Sequence, residues 1–78
     1  MPTILNIGPY RFFFVSLDQN EPPHVHVRRE KMVAKFWLDP VVLQNTGGFS
    51  RAELNQIVRL VEDNRETLLE RWYEFFSH

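Results

Sequence analysis

The sequence predicts an α+β fold: a small antiparallel β-sheet of about three to five strands, then one long, kinked or straight C-terminal helix, or two short ones. Three observations carry this. Short apolar runs with strand-like alternation fill the chain as far as Leu43. Pro and Gly punctuate those runs, and neither occurs after Gly48. From Leu54 onward, apolar residues recur instead at the three- and four-residue spacing of a helix. The 78 residues suit a single domain, mainly β over 1–44 and mainly α over 50–76.

Thr3 to Ile7 is a β-rich run closed by Gly8-Pro9. Tyr10 to Leu17 (YRFFFVSL) is apolar on both alternating faces, which predicts a central strand covered on both sides. Asp18 to Pro23 is a loop, because successive prolines remove two backbone donors. His24 to Arg28 and Val33 to Leu38 are the next strands, joined by a tight turn over Arg29 to Met32.

Side-chain facing sets their register. Arg28 opposite Val33 puts His26 opposite Lys35 and His24 opposite Trp37. Val25, Val27, Ala34 and Phe36 then form an apolar core face, while His24, His26, Arg28, Lys35 and Trp37 share the other. A slip of one residue would mix polar and apolar groups on both. Asp39-Pro40 breaks the strand, Val41 to Leu43 forms a last short strand or extended edge, and Asn45 to Gly48 is a loop.

Ser50 and Glu53 make an S-x-x-E capping box after apolar Phe49. Leu54, Ile57, Val58 and Val61 follow, and the pattern runs on through Leu68, Trp72 and Phe75. An unbroken helix from Arg51 to Phe75 would be ~37 Å long, more than a domain of this size is wide. It must kink or break near Asp63 to Arg65, or project onto another chain. Its last third, LLERWYEFF, is apolar on more than one stripe, so Trp72, Tyr73 and Phe76 are candidates for an interface as well as for the core. Arg51, Arg59, Arg65 and Arg71 alternate with acids and read as a solvated helix face. The glycines of Thr46 to Ser50 serve the turn into the helix; no phosphate-loop motif accompanies them.

The composition excludes several classes. Without cysteine there is no disulfide framework, no thiolate zinc finger and no thiol catalysis. A net charge of −1 does not announce nucleic-acid binding, so that argument must rest on a local patch. No leader-like start and no membrane-spanning run is visible, which leads us to expect a cytoplasmic protein without a membrane partner.

EPPHVHVRR, Glu21 to Arg29, carries the densest chemistry. H-x-H on a strand can chelate a metal ion, but a site needs a third ligand, and no spacing rule selects among Asp18, Glu21 and His78. No metal or other cofactor is therefore expected, with His24 and His26 as weak metal candidates. The same histidines can supply general base and general acid, with Arg28 and Lys35 as phosphate contacts and Trp37 as a stacking surface; this is the constellation for metal-independent RNA cleavage. A partner-binding or solvated face is the blander alternative.

EPPHVHV (Glu21 to Val27), AKFWLDPV (Ala34 to Val41), GFS followed by EL (Gly48 to Ser50, Glu53-Leu54), LVEDNRETLLERW (Leu60 to Trp72) and the final YEFF resemble domain of unknown function 4160, a family of short bacterial proteins. The matching residues are Pro22, Pro23, His24, His26, Lys35, Trp37, Gly48, Phe49 and Trp72. The resemblance implies a gene neighbour encoding a second small protein, with the pair proposed as a toxin–antitoxin module and this chain in the toxin position. It carries no catalytic assignment. The leading expectation is thus a toxin-like protein acting on RNA or translation, with His24 and His26 as acid–base pair and a small antitoxin-like partner. The rivals are a non-catalytic module that docks its cognate protein or a second copy of itself, and a small metal-binding protein.

Overall fold

The computed structural model describes residues 3–77. Five strands are followed by two helices: β1 Thr3–Ile7, β2 Tyr10–Phe13, β3 His24–Arg29, β4 Met32–Leu38, β5 Val41–Asn45, α1 Arg51–Asp63 and α2 Arg65–Phe76. The strands form one antiparallel sheet in the order β1-β2-β3-β4-β5. Each strand pairs with its sequence neighbour, so every connection is a short turn except the Phe14–Pro23 segment between β2 and β3.

The β3–β4 register is the one the side-chain pattern demands: His24 pairs with Trp37, His26 with Lys35 and Arg28 with Val33. Its turn is tighter than the sequence suggests. Arg29 and Met32 still pair, leaving only Glu30 and Lys31 to reverse the chain, with Glu30 at φ 57°. The β4–β5 turn is equally short, and its Asp39–Pro40 peptide is cis. β5 extends two residues beyond the anticipated Leu43, with a register shift opposite Lys35 and Phe36.

The core forms where strand alternation and helix periodicity meet. Phe12, Val25, Val27, Ala34, Phe36 and Leu38 project from one face of the sheet, and Ile57, Val61 and Leu68 from the helices close over them. β2 is shorter than Tyr10 to Leu17. It stops at Phe13, and Ser16–Asp18 forms a 3-10 turn instead. Leu17, placed on a strand face by alternation alone, is thereby turned out into solvent. Phe14 leaves the strand and inserts fully buried against Trp72, Phe75 and Phe76 of α2.

The long helical pattern is broken at Asn64, within the anticipated interval. The Asn64 side-chain amide donates to the Leu60 carbonyl at 2.8 Å, and its backbone N–H reaches the same oxygen at 3.1 Å. The Leu60 carbonyl thus keeps its regular helix partner and gains a second, while Asn64 itself leaves the helical conformation at φ −109°, ψ 13°. Arg65 fixes the break to the sheet: its Nε donates to the Leu38 carbonyl and its Nη2 to Asp39. Among the described residues, no helix is long and apolar enough to cross a membrane.

The capping box forms only in half. Ser50 Oγ accepts the Glu53 backbone N–H, but the Glu53 carboxylate does not return to the cap. It accepts hydrogen bonds from Arg29 Nε and Nη2 and from the Tyr10 hydroxyl, tying the start of α1 to β2 and β3. The bonds from Arg29, assisted by that from Tyr10, outweigh partial burial and hold Glu53 below its ordinary carboxylate value. Burial, then the Glu53 contact, raises Tyr10.

Candidate functional site

Helix α1 covers one face of the sheet. The other face carries Arg11 from β2, His24, His26 and Arg28 from β3, and Lys35 and Trp37 from β4, as alternation requires. The structure does not gather them into one exposed cluster. It divides them between the two ends of β3.

At the start of β3, His24 is fully buried. Because β2 ends at Phe13, opposite His26, His24 has no strand neighbour on that side. Helix α2 fills the space: the Trp72 ring lies 4.9 Å from the His24 ring, and Trp37 meets it edge-on at 5.5 Å. The expected open position for His24 is therefore corrected. The aromatic helix end that encloses it could be read from the sequence as apolar, but not as the lid of this residue. Trp72 belongs to the core at 4% exposure, Phe76 is half-buried against it, and Tyr73 alone of the three is exposed.

The Phe14–Pro23 segment folds back over the same end of the sheet. Asp18 N–H bonds Val15 O and Glu21 N–H bonds Asp18 O, two successive turns that bring the Asp18 carboxylate to the histidines. Asp18 Oδ2 stands 2.8 Å from His24 Nε2 and 3.1 Å from His26 Nε2. The other nitrogen of His24, Nδ1, donates to the Pro22 carbonyl at 2.9 Å. The two prolines thus do more than interrupt a strand: one of them supplies the acceptor that orients His24. His26 stacks on Phe13, ring centroids 5.2 Å apart, with its side chain 16% exposed.

Opposing effects set the charge here. Burial pushes the Asp18 carboxyl up, but the hydrogen bonds from His24 and His26 outweigh it and hold Asp18 below its ordinary value. Burial lowers His26, the bond to Asp18 pulls it back up, and the neighbouring His24 and Lys35 charges lower it; the net direction is down. Asp18, His24 and His26 are the residues of this site with metal-ligand chemistry, each offering an atom within 4.8 Å of the other two. Of the other third-ligand candidates, Glu21 holds Lys35 Nζ at 2.7 Å, and His78 lies outside the described residues.

Lys35 is therefore neutralised by Glu21, and its ammonium sits 4.8 Å from the centre of the Trp37 ring, covering the surface proposed for stacking. At the far end of β3 the situation differs. Arg28 is exposed, spends its Nε on the Glu30 carbonyl, and stands directly opposite Arg11. Like charges facing each other across strands repel. Pro9, Arg11, Arg28 and Glu30 line a shallow concavity there. Sequence reasoning passed over Arg11; only the β2–β3 register, hidden by the long intervening loop, places it beside Arg28.

One protein-family model, described as "Domain of unknown function (DUF4160)", matches residues 10–73, from the first residue of β2 to the exposed Tyr73 of α2. The comparison with curated proteins gives no match, and neither does that with solved structures.

Proposed function

This chain belongs to the DUF4160 family, and we propose that it is the toxin-like half of a two-protein module that meets RNA through the uncovered face of its sheet. The observation that supports this is the facing pair Arg11 and Arg28 on that face. Two guanidiniums held side by side on a rigid sheet present fork-shaped donors to a phosphate, and an anion between them relieves their repulsion. The reading is one of RNA contact. The cleavage role considered for His24 and His26 has no such support, because His24 has no surface from which to reach a substrate.

Fluorescence anisotropy with a short single-stranded RNA tests it. The double charge reversal Arg11→Glu/Arg28→Glu is expected to weaken binding by at least about tenfold and to lower the slope of log Kd against log salt by about 2, one per lost phosphate contact. Growth arrest on expression without the neighbouring gene product should disappear with it. Unchanged RNA affinity in the folded double variant would remove the proposal.

A second reading rests on β5. It is one of the two edge strands of the sheet, with β1 the other, and its Val42 and Leu43 are 47% and 38% exposed. An added strand from an antitoxin-like partner, or from a second copy of this chain, would satisfy that edge. Solution mass with and without the neighbouring gene product tests this, and a monomer indifferent to that product would count against it.

A further inference from the structure

We propose that Asp18, His24 and His26 form a binding site for a divalent transition-metal ion, with Zn²⁺ as the best match to an N₂O ligand set. The inference does not depend on RNA contact. The donor atoms are His24 Nε2, His26 Nε2 and a carboxylate oxygen of Asp18, all within 4.8 Å of one another. Ligands bonded to one zinc ion at about 2.0–2.2 Å stand about 3–4 Å from each other, so small side-chain adjustments close the site.

The hydrogen bonding of His24 points to a cation. Nδ1 faces the Pro22 carbonyl and Nε2 faces the Asp18 carboxylate, and both oxygens are acceptors. A neutral imidazole has one N–H, and the carbonyl takes it at Nδ1. Nε2 then directs a lone pair at an anionic oxygen 2.8 Å away, in a ring with no solvent exposure to relieve the mismatch. Either a proton or a metal ion must stand between Nε2 and Oδ2. His26 Nε2 converges on the same oxygen, which gives that position three ligands and makes it a better place for an ion than for a single proton.

The surroundings have the form of a metal-ligand support. A metal-bound histidine donates its other ring N–H to a carbonyl or carboxylate, which fixes tautomer and orientation; His24 does this to Pro22. Trp37 and Trp72 clamp the His24 ring, and Phe13 supports that of His26. One carboxylate with two neutral imidazoles leaves a bound dication at +1, which Glu21 offsets only in part, being already paired with Lys35. Asp18 and His26 are partly exposed, so solvent can reach the ion and supply the remaining ligands.

The test uses the untagged full chain, stripped with chelator and titrated with Zn²⁺ by calorimetry. One equivalent should bind, and the thermal midpoint should rise with zinc. Asp18→Asn and His26→Gln keep polar side chains at partly exposed positions and should stay folded by circular dichroism, yet each should weaken zinc binding by roughly a hundredfold or more. Long-range ¹H–¹⁵N spectra should show zinc moving Nε2 of both histidines while Nδ1–H of His24 persists. Absence of stoichiometric binding would overturn the site, showing that the trio is joined by protons alone. Binding that survives in both variants, or that engages His24 Nδ1, would overturn the ligand assignment.

Discussion

Replacing Gly47 by alanine tests how the turn between β5 and α1 is seated against the sheet. Gly47 has φ +63°, and a Cβ added there would lie 2.0 Å from the Val33 carbonyl oxygen, 2.3 Å from its carbon and 2.7 Å from the Ala34 nitrogen. These are backbone atoms of β4, which is hydrogen-bonded on both sides, so none can rotate out of the way. Real Cβ contacts essentially never fall under 3.0 Å, so turn and strand must separate by about 1 Å. The left-handed conformation costs an L-residue about 1–2 kcal/mol, and forcing packed backbone apart adds about 1–3 kcal/mol. A loss of about 2–5 kcal/mol is therefore expected by urea denaturation, a large share of the stability of a small domain. Gly8→Ala is the internal reference: φ is +57°, nothing lies within 4 Å, and only the conformational cost of about 1–2 kcal/mol applies. If the two variants lose the same stability, the close approach of Gly47 to Val33 is wrong.

Two further outcomes are expected. Trp72→Ala should lose about 3–5 kcal/mol, because it empties the space between Phe14, Phe76 and His24, whereas Tyr73→Ala, at a position 59% exposed, should stay within about 0.5 kcal/mol of the parent; equal effects would contradict the placement of α2. Glu53 is held below its ordinary value of 4.5, so its contribution to stability is complete above that pH and is lost as pH falls through the lower folded value. Glu53→Gln should flatten that acid limb in a pH series of melting curves, and an unchanged slope would remove Glu53 as its source.

The sequence by itself determined the α+β order and the β3–β4 register, and it narrowed the C-terminal helix to a kink or break near Asp63 to Arg65 or a projecting end. The first two rest on local signals: alternation that leaves one register with an apolar face, and a change to helical spacing from Leu54 onward. The last rests on the length of the helical pattern against the width of the domain. It also marked His24, His26, Arg28, Lys35 and Trp37 as one side of the sheet, since a strand sends alternate residues to the same face. Only the tertiary structure decided what that side became. Where β2 ends, how far the Phe14–Pro23 segment folds back, and where α2 lies after Asn64 are set by packing between segments distant in sequence, which no local pattern encodes. Those three placements enclosed His24 against Trp72, delivered Asp18 to both imidazoles, and left Arg28 beside Arg11 instead of beside the histidines. Glu53 shows the same division. Its place near the start of α1 was legible from Ser50, but its carboxylate went to Arg29 and Tyr10, partners that only the closed fold brings within reach.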